Sequence, residues 1–168
     1  GLGLLEALPE SLMALRADPD DCDGDGISGR MNPVVDPSTG ELRAGRFGWK
    51  AEKVDVRHQV ADALEADLGV GTELFPDADG AVELAEHEVE RLVTYMRLLA
   101  VPGQRDAEDA QVRRGGELFR DVGCGACHVP EAITGAHHPF AELRGQVIQP
   151  YTDLLLHDLG PDLADASG

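Results

Sequence analysis

The pentapeptide Cys124-Gly125-Ala126-Cys127-His128 constrains this chain more than any other stretch. Two thiols one helical turn apart, followed at once by an imidazole, form the C-x-x-C-H signature at which a c-type haem is attached. The thiols add across the two porphyrin vinyl groups, and the histidine reaches the iron from one face. The lead-in suits that purpose. A helix is expected over residues 106–121, where Gly115 and Phe119 share a face on which another helix can come close. Pro130 follows the motif, placed to turn the chain over a haem edge. The competing reading of the same residues is a zinc knuckle, with Cys124 and Cys127 joined by His128, His137 or His138.

A porphyrin would also answer a deficit. Only 4% of the 168 residues are aromatic, which is thin for one self-sufficient core. Thirty-two acidic residues against fourteen basic ones give a formal charge of −18. That charge argues against nucleic acid and anionic membranes as partners, and leaves a redox partner protein or a small-molecule oxidant. No run approaches the roughly 18 apolar residues of a membrane span. The chain opens Gly1-Leu2-Gly3 without a basic leader and reads as an interior piece of a longer protein. Covalent haem attachment takes place outside the cytoplasm, so the expected location is periplasmic or otherwise exported. The third cysteine, Cys22, is left over as a free surface thiol or a disulfide partner for a segment outside the sequence.

The expected fold is all-α, a cytochrome c-like haem domain preceded by a calcium loop, a β-hairpin and a helical segment. Residues 1–20 hold a short apolar helix, with Pro9 suited to a first turn and Leu12, Met13 and Leu15 near one face. A hairpin is expected over residues 34–42 around a Pro/Gly turn. Helices are expected at 55–68, closed by Gly69, and at 85–100, closed by Pro102-Gly103. The boundary falls at Val101-Pro102-Gly103-Gln104, dividing residues 1–102, part of a larger domain, from a haem domain at 103–168 that is incomplete at its C-terminus.

Asp21, Asp23 and Asp25 alternate as at positions 1, 3 and 5 of a calcium loop. Gly26 stands at the sharp turn and Ile27 is placed to offer its carbonyl. The twelfth position carries Asn32 instead of a bidentate Glu, so a shorter loop closed by Asn32 or Asp36 is one reading and a solvated acidic turn the other.

The sixth position of a haem iron separates an electron carrier, with Met or His there, from a site open to peroxide. All three methionines, Met13, Met31 and Met96, precede the motif. The downstream imidazoles are His137, His138 and His157. His157 lies in an apolar stretch and is the expected distal ligand, against the plainer reading of an imidazole bonded to a backbone carbonyl. His137-His138 reads as a solvated loop, and His58 and His87 as exposed helix residues.

Four ordered blocks resemble the di-haem oxidoreductase family, also called thiol oxidoreductases, which are relatives of bacterial di-haem cytochrome c peroxidases. They are residues 23–30 (DGDGISGR), 45–51 (GRFGWKA), the C-x-x-C-H at 124–128, and 150–158 (PYTDLLLHD). The resemblance implies a peroxidase-like oxidoreductase with a second haem on a segment before Gly1, the alternative being an electron-transfer cytochrome c module without catalysis of its own. In the family a Met commonly follows the His-Asp pair. Here that place is Leu159, which implies an iron that is either open or bound by His157. Trp49, the single tryptophan, reads as a core ring, and Arg46, Lys50 and Arg144 are weighed as partners for haem propionates.

Overall fold

The computed structural model describes residues 1–163. Its helices begin and end where the sequence supplies caps. Helices α1 (Leu2–Glu6) and α2 (Glu10–Arg16) are separated by Pro9, whose extended backbone caps the second. Two strands follow, β1 (Gly29–Arg30) and β2 (Pro33–Val35), and then β3 (Leu42–Ala44). Strands β2 and β3 pair antiparallel, so the expected hairpin is present, closed by the Asp36 N–H donating to the Glu41 carbonyl at 2.8 Å.

Helix α3 (Val56–Leu68) is started by the Asp55 carboxylate, which accepts the His58 N–H at 2.8 Å. Gly69 ends it in the left-handed region at φ 66°, which costs glycine little. Helix α4 (Glu86–Leu98) begins with the Glu88 side chain accepting the Ala85 N–H at 3.1 Å. Helix α5 (Ala110–Asp121) is capped by Asp109, and a 3₁₀ turn at Cys124–Ala126 follows directly. The remaining strands are β4 (Ala132–Ile133), β5 (Val147–Ile148) and β6 (Leu156–His157).

The all-α expectation is therefore corrected: the fold is mixed α/β. Three two-stranded antiparallel ladders pair β1 with β6, β2 with β3, and β4 with β5. Among the described residues no α-helix follows Cys127. Two-residue strands are too short to show alternation, and β1–β6 joins Gly29 to His157, a pairing no local pattern announces.

Two cores result. Leu8, Met13, Ala44, Ala132 and Leu154 form the first, so residues on either side of 102/103 pack together. Phe47, Val56, Val89 and Val93 form the second, between α3 and α4, with Leu2 and Leu5 against it. Helix α1 thus serves both cores. It lies close to α4 because Gly3 has no side chain: a Cβ there would fall 2.1 Å from the Arg97 carbonyl oxygen.

Trp49 is not a core ring. It is 91% exposed at the tip of a turn tied by Phe47–Lys53 backbone hydrogen bonds and by the Asn32 side-chain amide donating to the Lys50 and Ala51 carbonyls. Of the apolar residues of α2, Met13 is 2% exposed whereas Leu15 is 82% exposed. Met13→Ala should therefore cost about 2–5 kcal/mol in urea unfolding, and Leu15→Ala less than about 0.5 kcal/mol.

Candidate haem-attachment site

Helix α5 delivers the C-x-x-C-H motif, and it does so uncovered. None of its residues is buried, and Val112, Leu118 and, just beyond it, Val122 present apolar surface to solvent. A helix with so open an apolar face, held to the rest of the chain through Phe119, suits contact with an apolar body. Cys124 and Cys127 are both free thiols. Burial, followed by the charges of Asp153 and Asp25, raises Cys127 above the ordinary thiol range.

His128 is oriented from behind. Its Nδ1 lies 3.1 Å from the Tyr151 carbonyl, so that nitrogen is the donor and Nε2 keeps the lone pair a metal takes. The Phe119 ring packs 6.4 Å from His128 and edge-on to Tyr151 at 5.5 Å, fixing helix, motif and downstream segment together. Tyr151 and Leu154 hold left-handed backbones, φ 49° and 62°, which costs each about 1–2 kcal/mol. Packing of buried Leu154 in the first core helps hold this turn.

Tyr151 also lines a cavity of about 680 Å³ walled mainly by Leu2, Leu4, Leu5, Val101 and Ile148. Cys124, Cys127 and His128 do not line this cavity; Tyr151, whose carbonyl holds His128, is what joins it to the motif. A zinc knuckle fits poorly. Among the described residues only Asp18, Asp21 and Asp23 bring three potential ligand atoms within 4.8 Å of one another, and no imidazole joins the two thiols.

His157, the candidate distal ligand, is bonded at both ring nitrogens. Its Nδ1 meets the Ser28 carbonyl at 3.1 Å and its Nε2 the Asp153 carboxylate at 2.7 Å, so ligation would break one of these bonds. It lines a second cavity of about 530 Å³ with Asp153, Gly125, Ala126 and the acidic loop. In that loop, successive carboxylates cap successive backbone N–H groups: Asp21 accepts from Gly26, Asp23 from Asp25, and Asp25 from Ile27. The structure gathers Asp21 and Asp23 with Asp18, not with Asp25; Asp25 and Ile27 line the same cavity. Asp18 lies outside the alternating run, so spacing alone did not reveal it. Cys22 is exposed, its thiol raised above the usual range chiefly by a hydrogen bond to Asp18.

Two histidines are not where the sequence put them. His138 is buried: the Phe140 N–H donates to its Nδ1 at 3.2 Å, so its Nε2–H donates to Glu6 at 2.9 Å. His58 is buried too, and burial, then Lys53, pulls its pKa down; His87 is exposed as expected. Of the three propionate candidates, Arg46 donates to the Leu5, Glu6 and Leu8 carbonyls and Arg144 to those of His138 and Pro139.

Glu6 was missed, although a single acid inside Leu4-Leu5-Glu6-Ala7-Leu8 is a usable signal of a paired buried charge. Its carboxylate accepts from Arg97 at 2.7 and 3.0 Å, from His138, and from the Val56 N–H at 2.9 Å.

An oriented imidazole directly after paired thiols is the arrangement that a haem-binding class of protein uses. The chain belongs to the family described as di-haem oxidoreductase, putative peroxidase, whose model matches residues 1–81 and 77–168. No curated protein and no solved structure matches it. No helix of the described residues is long and apolar enough to cross a membrane.

Burial pushes the Glu6 pKa up, but Arg97, His138 and the Val56 N–H outweigh it and hold the carboxyl below its usual range. A depressed folded pKa gives stability that is complete above the unfolded value of about 4.5 and lost as pH falls through the folded value. Glu6→Gln should accordingly lower stability at pH 7 and flatten the acid limb of a stability–pH curve measured by chemical unfolding.

Proposed function

We propose that this chain carries one c-type haem on Cys124, Cys127 and His128 and serves as the exported, periplasmic part of a peroxidase-like di-haem oxidoreductase. The observation that carries this reading is the His128 Nδ1 to Tyr151 carbonyl hydrogen bond, which leaves Nε2 as the ligating nitrogen on the end of an uncovered amphipathic helix. When bound, the haem supplies an iron that exchanges single electrons and, with an open position, takes a small oxygen ligand. The protein's part is to anchor and to orient. The two thiols fix the macrocycle covalently, Tyr151 holds the imidazole in one tautomer and raises its basicity, and Leu2, Leu4 and Leu5 keep water from one side. The second haem of the family is assigned to a segment outside this chain, with a redox partner protein or small-molecule oxidant as the source or sink of electrons.

Commitment of the other candidate ligands favours the peroxidase-like reading over a plain electron carrier. Met13 and Met31 pack in the first core, Met96 packs against the second, and both nitrogens of His157 are bonded. Protein from a host that attaches haem should retain it through acid–acetone extraction, and haem in the organic phase would sink the assignment. Its ferric iron should be high-spin and open to cyanide, with His157→Ala leaving the spectrum unchanged. A low-spin iron would favour the electron-transfer module.

We also infer that a calcium ion is held by Asp18, Asp21 and Asp23 with help from Asp25 and the Ile27 carbonyl, a set of hard oxygen donors suited to it. Its role is to fix the loop against Gly125 and Ala126 of the attachment motif, which share a cavity with it. Calcium at about 100 times its dissociation constant should add about 2.7 kcal/mol of stability to metal-free protein. Asp18→Ala combined with Asp23→Ala should remove that increment, and melting curves that ignore calcium in the parent protein would rule the site out.

A further inference from the structure

A third cavity, of about 390 Å³, lies beyond the C-terminal end of α1 and shares no lining residue with the apolar cavity beside Tyr151. Arg46 lines it with a side chain only 3% exposed. Nη1 of Arg46 is committed to backbone carbonyls, but its Nε has no hydrogen-bond partner among the described residues. Its Nη2 meets Glu10 Oε1 at 3.8 Å, beyond hydrogen-bond distance. Nε of Arg43, from the neighbouring strand β3, lies 3.7 Å from the same oxygen, while its Nη1 is held by Asp36 at 2.9 Å. One half-exposed carboxylate therefore stands between two guanidinium groups and hydrogen-bonds to neither. A buried guanidinium N–H without an acceptor carries a desolvation penalty that a better-placed oxygen would remove.

We propose that this cavity binds a small molecule through its carboxylate, seated between Arg43 and Arg46 where Glu10 now stands. Planar N–H forks match a carboxylate more closely than a spherical anion. Arg97 also lines the wall but is already paired with Glu6, which leaves Arg43 and Arg46 as the groups facing a ligand carboxylate. The volume leaves room beyond the carboxylate for the rest of the ligand, against Pro9, Gly135 and Pro139. Glu10 acts as an internal stand-in that the ligand displaces toward solvent.

The test is a calorimetric titration of the purified protein with acetate and with butyrate, against chloride at equal ionic strength. Both carboxylates should bind and chloride should not. Glu10→Gln removes the competing charge from an exposed residue and should tighten binding by up to about fivefold. Arg43→Lys keeps a charge opposite Asp36 but removes the fork, and should weaken binding by about tenfold. No heat beyond the chloride control in either the parent or the Glu10→Gln protein overturns the proposal, and so does equal affinity in all three.

Discussion

The carboxylate of Glu6 ties together more of this molecule than any other group. It receives both arms of Arg97 from α4, the ring of His138 from the segment after the haem motif, and the first N–H of α3. Its own backbone carbonyl receives Arg46. Four separate stretches of chain are thereby fixed to the last turn of one five-residue helix. So short a helix has no stability of its own. It exists because its apolar side is shared between two cores and its polar end is clamped. With so few aromatic residues, directed polar bonds fix the register that larger rings would otherwise set by shape.

That clamp has a consequence for the attachment motif. Leu4 and Leu5 of α1 line the cavity beside Tyr151, while the next residue, Glu6, lines the arginine-lined cavity. A carboxylate that slipped by one residue would enter the apolar cavity, and the paired charges would lose one another. The two cavities thus lie on different sides of the same short helix and share no lining residue.

Much of the local structure was legible. Asp55 and Gly69 bound α3 as written, the Pro/Gly turn makes its hairpin, and the C-x-x-C-H stands at the end of its helix. What the sequence concealed depends on distant partners. His58 and His138 sit among charged or loop-forming residues, and only the folded chain shows Val54 and Glu6 closing over them. His157 reads as apolar in context, yet β6 pairs with β1 and brings it to Ser28. Tyr151 lies in one of the four blocks of the resemblance, but its role against His128 was hidden, because its contribution is a backbone carbonyl, and a carbonyl has no identity in a sequence. Trp49 failed for the opposite reason. A lone tryptophan is a sound core residue by composition, but the turn that carries it is closed by backbone bonds and needs no ring.

The surroundings of the cysteines bear on which chemistry the motif can support. A C-x-x-C pair used for thiol–disulfide exchange works through a thiolate, which positive neighbours or a helix N-terminus stabilise. Here the reverse arrangement holds. Burial, then the carboxylates of Asp153 and Asp25, raise the Cys127 thiol above its usual range, and the pair follows the C-terminal end of α5, where the helix dipole is negative. Such a thiol is a poor nucleophile and a poor exchange partner. Asp25 of the acidic loop adds the smallest share of that effect on Cys127, and the loop shares a cavity with Gly125 and Ala126 of the same motif.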